Sequence, residues 1–181
     1  MPHVTIDSGM PGIRGLFAFR PETARPMNAL AEVLLRGDST LTRGERELIA
    51  AYVSGLNACE YCTASHSAFA AAQLPEGTEL VDAVRADAAT APVTPKLRAL
   101  LAIAAAVQRG GKNVTASLVT AAKSEGATEL EIHDTVLIAA AFCMFNRYVD
   151  GLATDTPDDD SFYAGSAERI VERGYTSVAD A

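Results

Sequence analysis

Apolar residues recur every three to four positions through most of the chain, the spacing of helices that bury one face, and no stretch alternates with the two-residue period of a half-buried strand. In "ETARPMNALAEVLLR" the pattern puts Met27, Leu30 and Leu34 on one face with Val33 beside them, and Gly37 and Asp38 end the helix. "LTRGERELIAAYVSGLNA" follows, with Thr42 as cap, Glu45 three positions on as its reciprocal partner, and Ile49, Tyr52, Val53 and Leu56 as the core face. The "LNACEYC" junction reads as a turn into a new helix capped by Asn57 with Glu60 in the reciprocal place, which sets Cys59 near N2.

A short helix runs from "LPEGTE" to about Asp87, and "TAPVTP" interrupts the pattern until Thr94 and Pro95 open "KLRALLAIAAAVQRG". That helix stops at Gly110 and Gly111; "QRGGKN" lacks the spacing of a phosphate-binding loop. Asn113 is the expected cap of "NVTASLVTAAKSEG", and Thr128, Leu130 and Glu131 open "LEIHDTVLIAAAFCMFNRYVDGL". Apolar residues cover most of this last helix's circumference, which places it centrally or at a subunit interface. Residues 1–21, with Pro2, Pro11, Pro21 and three glycines, read as an extended arm. Residues 22–181 then form a single all-α domain whose tail, from "DTPDDDS" onward, is acidic and mobile.

Composition sharpens this picture. The 181 residues are 49% hydrophobic and rich in Ala, which suits closely packed helices, and the formal net charge is -8. Without a basic patch the chain offers little to nucleic acid or an anionic membrane. No secretory leader or membrane-spanning run is evident, so the expected location is cytoplasmic, where a structural disulfide is out of place. The all-round apolar helix predicts a homo-oligomer.

The chemistry concentrates in "CEYCTASH", which holds two of the three cysteines and one of the three histidines. On a helix Cys59, Cys62 and His66 are related by steps of three and four and fall on one face. A helix N-terminus, a neighbouring imidazole and CxxC pairing each favour the reactive thiolate. The helix terminus favours Cys59 as nucleophile and His66 favours Cys62, so the spacing leaves that choice open. Two other readings share these residues: a zinc site completed by Cys143 or Glu47, and a structural pair of buried cysteines beside a core histidine. His133 reads as a surface residue, His3 as part of the arm, and Cys143 as a small hydrophobe.

The wider stretch "LTRGERELIAAYVSGLNACEYCTASH" resembles the AhpD-like alkylhydroperoxidases of the carboxymuconolactone decarboxylase superfamily. Their signature is a Glu, a CxxC twelve positions on, and a His four beyond the second Cys, which Glu47, Cys59, Cys62 and His66 match without a gap. "LFAFRPETARPMNALAEVLLRGDSTLTRGERE" and "FNRYVDGL" look like the peroxidase-related branch. The resemblance implies an AhpD-like helical bundle and a thiol peroxidase without metal, haem, flavin or other cofactor. By it, Cys62 attacks the hydroperoxide, Cys59 resolves the product into a disulfide, and Glu47 with His66 relays protons. A lipoyl- or thioredoxin-type dithiol is the implied reductant, and dimers, trimers and hexamers are the implied assemblies.

A disulfide oxidoreductase or redox sensor would use the same dithiol, while the superfamily's decarboxylases generally lack the paired cysteines. Periodicity would not have chosen Glu47: it lies roughly opposite Ile49, in a stripe with Ala51, Ser54 and Ala58 small enough for the CxxC helix to approach closely. On its own it reads as an exposed first-turn carboxylate. Some relatives carry a second histidine where this chain has Tyr61. Asn146 and Arg147 fit two roles equally, lining a pocket or capping and solvating their helix.

Overall fold

The computed structural model describes residues 1–176, and these form nine α-helices with no strand. They are α1 (Gly12–Phe19), α2 (Pro21–Arg36), α3 (Arg43–Leu56), α4 (Glu60–Ala71), α5 (Gly77–Asp87), α6 (Pro95–Arg109), α7 (Ala116–Ser124), α8 (Glu129–Gly151) and α9 (Asp160–Arg173). Helices α3, α6 and α8 meet at the centre, where Leu48, Ile49, Leu100, Leu101, Ile103, Ile138 and Phe142 are at most 2% exposed. Burying each such side chain is worth about 1.5–3 kcal/mol. The all-α expectation matches this architecture.

Two capping boxes start the helices that frame the core. Thr42 accepts from the Glu45 amide while Glu45 accepts from the Thr42 amide, and Thr128 and Glu131 repeat the exchange at α8. Thr94 caps α6 with Pro95 at its first position.

The N-terminal segment is not the extended arm that its prolines and glycines suggest. Pro11 and Pro21 stand at helix starts, where a missing amide is harmless. Gly12, at φ +58°, lets the chain pass so close to Tyr61 that a Cβ would lie 2.2 Å from its ring. The arm is also pinned: the His3 amide donates to Leu152 O and the Gly12 amide to Asp155 O.

The acidic segment differs likewise. Asp159 caps α9 by accepting from the Ser161 amide at 2.9 Å, so the negative run sits at the helix end that favours it. Tyr163, Ala167 and Ile170 share one buried face of α9, which packs against α4. The final residues of the expected tail, 177–181, lie outside the described residues.

Smaller departures have local causes. Val33 is 68% exposed and Leu56, expected in the core, is 41% exposed at the end of α3. The cap of α7 is Thr115, because residues 111–113 form a 3₁₀ turn and leave Asn113 outside the helix.

Candidate active site

Helices α3 and α4 form the most closely engaged pair, separated by a turn in which Asn57 ends α3 and Ala58 takes φ +57°. Cys59 is therefore the N-cap of α4 and not its second helical residue. Asn57 does not cap α4, because its amide is committed elsewhere. Its Nδ2 donates to Asn146 Oδ1 (2.8 Å) and contacts Cys143 Sγ (3.5 Å), and its Oδ1 accepts from Gln108 Nε2 at 3.0 Å. Asn146, fully buried, also donates to Ser54 Oγ at 3.1 Å. This amide network joins α3, α6 and α8 beneath the CxxC turn. Asn146 bridges helices instead of lining a pocket, and the exposed Arg147 donates to Cys143 O within its own helix.

Glu47 is 1% exposed, so the exposed first-turn reading does not hold. Residues with small side chains on its stripe, Ala51 and Ser54, are fully buried where α4 crosses. From α4, His66 turns Nδ1 to Glu47 Oε2 at 2.7 Å. With Glu47 ionised, Nδ1 carries the proton and Nε2 faces away from the carboxylate, the orientation by which a carboxylate sets a histidine tautomer. Phe142 and Phe69 meet the imidazole edge-to-face at 4.5 and 5.0 Å and fix its plane.

The second Glu47 oxygen has a partner the sequence did not reveal. Tyr175, just beyond α9, donates its hydroxyl to Glu47 Oε1 at 2.5 Å and stacks on His66. Burial, followed by the Glu47 charge, raises the Tyr175 phenol well above its ordinary range and keeps it a donor. Glu32 and Arg36 of α2 clamp this end: the Tyr175 amide donates to Glu32 Oε2, and Arg36 donates to Ile170 O and Val171 O. The one signal in the sequence was an isolated aromatic in the polar run "ERGYTS".

The thiols are both free, Cys59 wholly buried and Cys62 4% exposed. The hydrogen bond with Cys62, and then burial, push the Cys59 thiol up. Cys62 and His66 line a cavity of about 80 Å³ with otherwise largely apolar walls, to which Cys59 does not contribute. Tyr61 lines the same cavity, and burial pushes its phenol up to about 12. Cys143 lies partly buried against the core and His133 is exposed, as the sequence indicated. No group of three or more His, Cys, Asp or Glu side chains able to hold a metal is assembled among the described residues. Nor, among them, is any helix long and apolar enough to cross a membrane.

An all-helical bundle with a buried dithiol turn facing a glutamate-held histidine defines a narrow class of protein. The carboxymuconolactone decarboxylase family model matches twice, over residues 21–93 and 75–154, and the chain belongs to this family. The dithiol lies in the first segment; Cys143 is the only cysteine in the second.

Two solved structures are similar. One, from Ralstonia eutropha JMP134, is described as an alkylhydroperoxidase AhpD core and an uncharacterized peroxidase-related protein; it shares 28% identity at TM-score 0.76, over 83% of this chain and 79% of its own. The other, an uncharacterized peroxidase-related protein from Silicibacter sp. TM1040, shares 28% identity at TM-score 0.76, over 88% and 82%. No curated protein matched the sequence.

Proposed function

We propose that the chain is a thiol-dependent peroxidase that reduces organic hydroperoxides through a Cys59/Cys62 dithiol–disulfide cycle. The observation that carries this reading is the shared cavity wall: Cys62 and His66 face one small space while buried Glu47 holds the far side of the imidazole. His66 Nε2 takes the Cys62 proton, and the imidazolium is stabilised by Glu47 as in other carboxylate–histidine pairs. The Cys62 thiolate attacks the terminal peroxide oxygen. The O–O bond breaks, the alkoxide leaves as alcohol with the proton from His66, and Cys62 becomes a sulfenic acid.

Cys59 then attacks the Cys62 sulfur. An S–S bond forms, the S–O bond breaks, and the Cys59 proton leaves with hydroxide as water. The dithiol loses two electrons and the peroxide gains them; an external dithiol reverses the oxidation and becomes a disulfide itself.

Burial of both sulfurs favours a small electrophile over a folded protein disulfide, which weighs against the oxidoreductase and sensor readings. The same burial suits a slender lipoyl-type dithiol better than a thioredoxin-type surface. The same proposal includes assembly into a homo-oligomer, and a cytoplasmic setting would keep the dithiol reduced between turnovers.

Mass spectrometry after one equivalent of ethyl hydroperoxide tests the proposal. A Cys59–Cys62 disulfide with Cys143 free is expected, together with loss of peroxide consumption in Cys62→Ser. Undiminished consumption by that variant would end the reading.

A further inference from the structure

Five buried side-chain nitrogen or oxygen atoms lack a hydrogen-bond partner among the described residues, and three of them belong to residues that wall the Cys62 cavity. They are Arg14 Nε, Asn28 Nδ2 and Arg169 Nε, brought together from α1, α2 and α9. All three are N–H donors. Asn28 is only 4% exposed, and an unmade hydrogen bond there leaves a desolvated donor without compensation. Neither guanidinium makes an ion pair or hydrogen bond to any described residue.

The two arginines also repel each other. Burial lowers the Arg169 pKa first, and the charge of Arg14 lowers it further. Two partly desolvated cations and a buried amide donor wall one cavity with none of the three atoms bonded to an acceptor, and a ligand with a negative charge and several acceptor oxygens would satisfy them together. Besides Ser65, Ser166 and the two tyrosines, the rest of the wall, including Phe17, Met27, Phe145 and Ile170, is largely apolar and fits a hydrocarbon portion. At about 80 Å³ the space is smaller than the ~150 Å³ void that admits benzene, which limits the enclosed part to a short, slender group.

We propose that Arg14, Arg169 and Asn28 form an anion subsite in the wall of the Cys62 cavity and that it takes the carboxylate of a small organic acid. On the peroxidase reading, which supplies only the identity of the reactive group, the preferred substrate is a short hydroperoxide bearing a carboxylate. The guanidinium pair anchors that carboxylate and leaves the peroxide end for Cys62.

Calorimetric titration with butanoate and with its neutral counterpart butanamide tests the subsite without any peroxide chemistry. Wild-type protein should bind butanoate at least tenfold more tightly. Arg14→Met and Arg169→Met should each remove most of that preference with folding checked by thermal melt, Arg169→Lys should keep part of it, and exposed Arg147→Met should keep all of it. Equal binding of the two probes by wild-type protein, or an undiminished preference in both Met variants, would overturn the subsite.

A kinetic arm compares kcat/KM for 4-hydroperoxybutanoate with that for butyl hydroperoxide. The ratio should exceed ten and fall at least tenfold in the Met variants; a ratio near one with both substrates consumed removes the substrate assignment and leaves the peroxidase reading standing. A butanoate preference with neither hydroperoxide consumed does the reverse: the subsite stands and the peroxidase reading fails.

Discussion

Glu47 is a buried carboxylate with one oxygen engaged by His66 and the other by Tyr175, so each partner's loss leaves a desolvated charge short of a donor. Removing the Tyr175 hydroxyl deletes a hydrogen bond to an ionised group, a class of contact worth about 1.5–3 kcal/mol. Tyr175→Phe is therefore expected to lower stability by about that amount in urea denaturation. It should also slow the reaction of Cys62 with hydroperoxide about tenfold, because an imidazole whose carboxylate can shift is less well aimed. Unchanged values of both would show that the hydroxyl is incidental. On the proposed cycle the two cysteines differ: Cys59→Ser should still consume about one equivalent of hydroperoxide and leave a Cys62 sulfenic acid that dimedone traps, whereas Cys62→Ser should give no dimedone adduct at Cys59.

Helices deliver these side chains only because their ends are fixed. Thr128 starts α8 through a capping box, and Thr128→Ala should cost about 1 kcal/mol, readable as a lower denaturation midpoint with unchanged cooperativity. A larger effect is expected at Gly12. Its φ of +58° is unfavourable for an alanine by about 1–2 kcal/mol, and the added Cβ would press into the buried ring of Tyr61. Gly12→Ala should therefore destabilise more than Thr128→Ala and alter the cavity that Tyr61 walls; near-neutral stability would show that α1 is free to move off α4. The same position explains why residues 1–21 read as an arm. A glycine that breaks helices by propensity serves here as the clearance for a close approach, and propensity alone does not distinguish the two uses.

At the scale of the whole molecule, stability should fall at both ends of the pH range. Although burial opposes it, hydrogen bonds from Lys96, the Thr128 amide and Thr40 hold the Glu131 carboxyl down at about 2, below its ordinary 4.5. A depressed carboxylate contributes fully above pH 4.5 and loses its contribution as pH falls from there toward 2. Tyr61 has the opposite sign: raised from 10.0 to about 12, its contribution is complete below pH 10 and is lost as pH rises to 12. Urea midpoints should thus be flat near neutrality, with a steep acid limb that Glu131→Gln softens and an alkaline limb that Tyr61→Phe softens. An unaltered acid limb in Glu131→Gln would mean that other carboxylates govern acid unfolding.

The chain's own pattern was sufficient for most of what depends on neighbours in sequence, the Asn57 and Asn113 caps being exceptions. Helical spacing, the Thr42–Glu45 and Thr128–Glu131 boxes, the Thr94–Pro95 start and the glycine stops are all local, because a helix closes its hydrogen bonds within four residues. The dithiol and its histidine were legible for the same reason, being one turn apart on α4, and Glu47 entered through the family spacing. What required tertiary structure was every contact made across the chain. Burial of Glu47 by the crossing of α4, capture of its second oxygen by Tyr175 from 128 residues away, and the meeting of Arg14, Asn28 and Arg169 at one cavity depend on how separate helices pack. Periodicity marks which face of a helix is buried, but the partner on that face is chosen by packing of the whole bundle.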